Sequence, residues 1–212
     1  MATIRDTVRP AREHTRMGLH LPYAANMAAM QGELFIEMRD GSTGEILHSD
    51  HRKNVITLDA SILVAMLARD PSSRNYGIYM LAVGTGATGA LLSPDAPDPR
   101  QRKLNGEIAR KGFSSTTFRD GSGNAVAIPT NIVDFTCTFS ESEAVGPLNE
   151  MGLISPISAN PLVTTNQNPD VFPNRDLTRD LTLYDILANY ITVSVISKPS
   201  TATLSITWRI SF

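Results

Sequence analysis

Three clusters of residues in this sequence have the types and spacing that chemistry uses. His48, Asp50 and His51 bring two imidazoles and a carboxyl close together, the donor set of a metal site. They lie at a strand end, where only every second residue shares a face, and no third ligand follows at a recognisable spacing. A solvated polar turn is the simpler reading, and no metal is expected. Gly84-Thr85-Gly86-Ala87-Thr88-Gly89 fits G-x-G-x-x-G after an apolar run, the pattern of a dinucleotide site. That site also needs a helix whose N-terminus receives the pyrophosphate, and Pro94, Pro97 and Pro99 forbid one of useful length. The glycines therefore read as a tight loop leaving a strand, with no cofactor. Cys137, the single cysteine, alternates with Val133, Phe135 and Phe139 and reads as a small core residue. Glu107 and Glu150 are carboxyls from which a dyad could be built, but nothing in their spacing pairs them. No G-x-S-x-G elbow, H-E-x-x-H pair or P-loop occurs. The sequence therefore points away from an enzyme and nominates no catalytic, cofactor-binding or metal-binding residue.

The elements that would position such residues are strands. Leu204, Ile206, Trp208, Ile210 and Phe212 alternate with Thr203, Ser205, Thr207, Arg209 and Ser211, the period of a strand with one dry and one wet face. Ile191, Val193 and Val195 alternate before Lys198-Pro199-Ser200, which predicts a terminal hairpin with residues 203–212. Trp208 falls on the apolar side, so core packing is favoured over a sugar-stacking platform.

Further upstream, Leu34, Ile36 and Met38 alternate, Asp40-Gly41-Ser42-Thr43-Gly44 turns, and Glu45 to Ser49 returns, predicting a hairpin. The stretch Ile56 to Arg69 predicts the one amphipathic helix, with Thr57 or Asp59 as cap and Ile62, Leu63, Met66 and Leu67 on a shared face. Asp70-Pro71 stops it, and in a β chain such a helix is expected to plug an end of a sandwich. Tyr76 to Val83 reads as a buried strand. Leu104 to Phe118 and Val126 to Ser140 read as long strands around the turn Asp120-Gly121-Ser122-Gly123-Asn124, and Pro147 to Ile154 as a shorter one. The expected fold is mainly β, an antiparallel β-sandwich over residues 32–212 with one helix.

Two segments fall outside that pattern. In residues 1–31, Arg5, Arg9, Arg12 and Arg16 recur at near-helical spacing, but Pro10 interrupts them and too few apolar residues accompany them for a core face. An extended N-terminal arm that orders against another surface is expected. Residues 155–182 carry Pro156, Pro161, Pro169 and Pro173 among several asparagines. A loop of that length is expected to be a contact surface. The candidate subunit-interface residues are Arg5, Arg9, Arg12, Arg16, Asn168, Asp170 and Phe172.

Composition sets the outer limits. The 212 residues suffice for one sizeable core, and the net charge of -2 gives no general attraction to nucleic acid. Asp6 and Glu13 dilute the arginines of the arm, so a nucleic-acid partner is not favoured. No apolar run approaches the roughly 20 residues of a bilayer span, and no apolar stretch follows the N-terminal arginines as a secretory signal requires.

Several stretches, in order, resemble tailed-bacteriophage virion structural proteins of the tail, baseplate or neck type. They are Asn54-Val55-Ile56-Thr57 leading into Leu63 to Leu67, then Ala82-Val83-Gly84-Thr85-Gly86. Leu104, Glu107 and Arg110 match L-x-x-E-x-x-R, Glu150, Gly152 and Leu153 match E-x-G-L, and Ser205-Ile206-Thr207-Trp208 closes the series. The likeness spans about residues 52–212. It implies a non-enzymatic building block of a tail, baseplate, neck or collar, present in multiple copies. Its partners would be copies of itself and other virion proteins, and it would be assembled in the host cytoplasm. A capsid-decorating or host-glycan-binding sandwich is the alternative, and would require aromatics clustered on an exposed face.

Overall fold

A computed structural model describes residues 30–74, 77–156 and 185–212. Residues 1–29 of the arm, the 157–184 part of the long loop, and all seven candidate interface residues lie outside the described residues.

The chain runs β1 (Gln31–Asp40), β2 (Ile46–Lys53), β3 (Val55–Ile56), α1 (Leu58–Arg69) and a 3-10 turn (Pro71–Arg74). It continues through β4 (Met80–Gly84), β5 (Gly89–Ala90), β6 (Ser93–Pro94), β7 (Glu107–Gly112), β8 (Ser115–Arg119), β9 (Ala125–Val126) and β10 (Ile132–Phe139). It closes with β11 (Gly146–Ser155), β12 (Ile186–Lys198) and β13 (Ala202–Ser211). One sheet has the order β2-β1-β13-β10-β8-β9, a second has β3-β12-β11-β4-β7, and β5-β6 is a small hairpin of its own. Every pairing among the described residues is antiparallel.

Alternation decides which side chains meet. Leu34, Ile36 and Met38 of β1, Leu204, Ile206, Trp208 and Ile210 of β13, and Val133, Phe135, Cys137 and Phe139 of β10 face Leu81, Val83, Leu148, Met151, Leu153, Ile191 and Val193 of the other sheet in one core. The fold is thus an antiparallel β-sandwich with one long helix among the described residues. Each large side chain fully withdrawn from water, such as Trp208 or Phe139, contributes about 2–3 kcal/mol.

The β1–β2 hairpin forms as the alternation requires. At its turn, Asp40 accepts hydrogen bonds from the backbone N–H groups of Ser42 and Thr43 and from the Ser42 hydroxyl. The Ser42 hydroxyl foremost, with the two N–H groups, holds the Asp40 carboxyl down at about 2.

The expected terminal hairpin does not form. β12 pairs with β11 and β3, while β13 lies between β1 and β10 in the opposite sheet. Both strands alternate because both line the core, one from each side, and the turn after Lys198 carries the chain across. Register shifts opposite Leu148 to Glu150 break the parity of β12. Ile196 is therefore buried and Val195 is only half-buried. Leu104 to Phe118 is likewise not one strand, since β7 belongs to the second sheet and β8 to the first. Phe212 follows the alternation but lies past the strand end and is half-exposed.

The helix begins at Leu58, with Thr57 in the N-cap position but making no side-chain cap. The Thr57 hydroxyl instead faces the Leu187 and Ala188 carbonyls at 2.5 and 3.0 Å. Asp59 is buried beside Arg102, at 3.5 Å. Leu63 is buried and Met66 and Leu67 pack partly against Ile186 and Ala188, whereas Ile62 is 44% exposed and leaves the expected face.

Candidate functional site

The glycine run is explained by a carboxyl. Glu150, fully buried on β11, accepts the N–H groups of Gly86 (3.0 Å), Asn105 (3.0 Å) and Gly106 (2.7 Å) and the Tyr190 hydroxyl (2.8 Å). Its neighbour Asn149 accepts the Ala87 N–H at 3.0 Å. Two loops, after β4 and before β7, are thereby drawn onto β11. They touch so closely that a Cβ on Gly86 would collide with the Gly106 nitrogen, and one on Gly84 would lie 2.5 Å from the Gly106 carbonyl oxygen. Glycine is required here by backbone approach, and the Gly86 and Ala87 N–H groups of the run are bonded to Glu150 and Asn149.

Beside this knot lies a buried ion cluster. Arg110 bonds both carboxyl oxygens of Glu107 and reaches Asp185 at 2.7 Å. Burial raises the Glu107 carboxyl above its ordinary range, with Arg110 opposing, and Asp185 and Glu150 add repulsion. Burial pulls Arg110 down, but Glu107 and Asp185 more than offset it and leave the guanidinium raised. Burial, then Glu150, pushes the Tyr190 hydroxyl far up. Leu104 packs under the cluster with Met80, Ala82, Ile154, Leu187 and Tyr190. Gly152 is where the Leu187 side chain and the Asn189 carbonyl leave no space for a Cβ. Among the described residues the polar groups of this block bond to one another, and it holds two loops in place.

The histidines diverge. His48 pairs with Met38 and His51 with Phe35, on opposite faces of the strand. The His51 ring stacks on Phe35 at 4.3 Å, and Arg209 covers Phe35 at 5.3 Å while bonding Asp134 together with Arg119. Among the described residues no three His, Cys, Asp or Glu side chains converge as a cation would need.

Cys137 is buried, and burial pushes its thiol up to about 12, with Lys111 acting weakly against it. A thiol reagent at pH 8 is expected to leave the native protein unmodified and to label it once unfolded, because the thiolate is neither formed nor reachable. Rapid stoichiometric labelling of native protein would contradict this.

Two hollows are lined by described residues. At the end of the sandwich plugged by α1, about 200 Å³ is lined by Met30, Ala60, Leu63, Val64, Leu67, Ile78, Phe135, Ala188, Asn189 and Phe212. Nearly all of that wall is apolar. Asn189 is fully buried in it, and neither its amide nitrogen nor its oxygen has a hydrogen-bond partner among the described residues. A buried amide left unbonded is costly. The sequence signal for it was an asparagine inside Leu187-Ala188-Asn189-Tyr190-Ile191, a polar residue within an otherwise apolar run. A second cleft, of about 610 Å³ between the start of α1 and residues 100–105, is polar, with Arg100, Arg102 and Lys103 on its wall.

No protein-family model matches this chain, and no curated protein does.

Proposed function

We propose that this chain is a non-enzymatic structural component of a tailed-bacteriophage virion, of tail, baseplate, neck or collar type, built in multiple copies. Its sandwich is the body, and residues 1–31 and the 155–182 loop are the segments that grip neighbouring subunits. The observation that carries the reading is the convergence of three of the five stretches on which the resemblance rests. Gly84 to Gly86, Leu104, Glu107, Arg110, Glu150 and Gly152 form one contiguous block, bonded internally. Such a block fixes loops rigidly, as a part in an assembly needs.

The test is light scattering across a concentration series on the full chain and on a chain lacking residues 1–31, with mass spectrometry of particles from the encoding host. Self-association lost on deletion, and the chain's presence in purified particles, are the expected results. A full chain that stays monomeric at hundreds of micromolar and is absent from particles would refute the reading.

A further inference from the structure

We propose that Asn105-Gly106 is a latent self-modification site, at which Asn105 loses its side-chain amide to the next backbone nitrogen when the Glu150 knot opens. The inference is independent of where the chain assembles and with what.

Two adjacent residues carry the chemistry. Asn105-Gly106 is the one Asn-Gly pair in the sequence. The Gly106 nitrogen, once it has given its proton to a base, can attack the Asn105 Cγ. A bond forms between that nitrogen and Cγ, the Cγ–Nδ2 bond breaks, and the departing nitrogen takes a proton from water and leaves as ammonia. The product is a five-membered succinimide, and water then adds to one of its two carbonyls to leave aspartate or isoaspartate at position 105. No oxidant or reductant takes part. Glycine permits the ring to close because it places no Cβ beside the attacking nitrogen.

The fold both creates this site and closes it. Gly86 and Gly106 cross so tightly that a Cβ on Gly106 would lie 3.1 Å from the Gly86 nitrogen and 3.2 Å from its Cα. Packing therefore keeps a glycine after Asn105. In the closed knot the attacking nitrogen is occupied. Its N–H is donated to Glu150 Oε1 at 2.7 Å and the Asn105 N–H to Oε2 at 3.0 Å, so one carboxyl straddles the residue that must rearrange. The negative charge of Glu150, which resists ionisation of Tyr190, likewise opposes loss of the Gly106 proton. Asn105 itself is exposed, and its Oδ1 accepts from Gln101 Nε2 at 2.9 Å. Water reaches the carboxamide while the nucleophile stays bonded, so the reaction runs from the opened state at a rate set by how often the loops part.

Isoaspartate, once formed, prevents reclosure. Its main chain runs through the former side chain and gains one carbon between the nitrogens of residues 105 and 106. Those are the two groups that Glu150 holds with its paired oxygens. A transient opening of the loops thereby becomes permanent.

Peptide mapping by mass spectrometry of the full chain incubated at pH 8 reads the rate at Asn105. The native wild type is expected to react about 100-fold more slowly than the same chain unfolded in urea. Glu150→Gln keeps an acceptor and removes the charge. Its native-state rate should exceed that of the wild type by about tenfold, the ratio that one weakened charge-assisted hydrogen bond gives. Circular dichroism establishes that this variant is folded. The wild type in sub-denaturing urea reads the same coupling with no substitution, since reaction at Asn105 should rise in step with hydrogen exchange at residues 105 and 106. Chains carrying isoaspartate, separated by chromatography, should remain folded yet lack exchange protection at residues 84–87 and 105–106.

No reaction at Asn105 in the unfolded chain would overturn the site. Equal rates in native and unfolded wild type would overturn its closure by the knot. So would a folded Glu150→Gln that reacts no faster than the wild type, or a rate that stays flat while exchange rises with urea. An isoaspartate chain as well protected as the wild type would overturn the permanent opening.

Discussion

Glu150→Ala is expected to destabilise the protein by on the order of 4 kcal/mol, because it removes the acceptor shared by three part-buried backbone N–H groups and the buried Tyr190 hydroxyl. Alanine provides no acceptor, and the Gly84–Gly86 and Asn105–Gly106 loops lose the group that holds them together. Glu150→Gln should cost about half as much. Its amide oxygen can still accept from Gly86 and Gly106, and the Tyr190 hydroxyl can turn to accept from the new NH2. Urea unfolding gives the two differences, and hydrogen exchange should show the lost protection concentrated at residues 84–87 and 105–106. A Glu150→Ala loss under about 1 kcal/mol would mean that the knot is not what fixes these loops.

Arg110→Met should produce a comparable loss, about 4 kcal/mol at pH 7, by leaving Glu107 and Asp185 without their shared cation. The pH dependence gives a sharper test. Burial already raises the Glu107 carboxyl, and Arg110 opposes that rise, so removing Arg110 raises it further. A carboxyl whose folded value exceeds its unfolded one gives its full stability below the unfolded value, and loses it as the pH climbs through the folded one. The deficit of Arg110→Met is therefore expected to shrink as the pH falls from 7 toward 4. Chemical denaturation at several pH values measures it, and a deficit independent of pH would exclude a charged origin.

Periodicity in the sequence exposed the faces of strands but not their neighbours. Leu34, Ile36, Met38, Cys137, Leu204, Ile206 and Trp208 are buried as their spacing requires. The β1–β2 hairpin also follows, since its turn residues lie between two adjacent alternating runs. The 186–211 region misled for a physical reason. Two strands facing each other across a core carry the same alternation as two strands side by side, and only the turn geometry after Lys198 distinguishes them. Bulges are similarly silent, which is why Ile196 and Val195 exchange roles.

The site was less legible than the fold. Glu150 and Glu107 stood out in the sequence only as isolated carboxyls, because their partners come from loops and strands distant along the chain. The cavity was invisible for the same reason, as its wall draws on α1, both sheets and Met30. The glycine run was readable as a tight loop, and what required the tightness was the backbone at Gly106.

The central place of β13 governs the order in which this molecule can be built during translation. Residues 202–211 lie between β1 and β10 and hydrogen-bond to both, so the earliest and middle strands of that sheet have no common neighbour until the ribosome has delivered nearly the last residues described. Up to that moment the β1–β2 hairpin and the β8–β10 unit are separate pieces with unsatisfied edges, which is when a nascent chain is most in need of a chaperone.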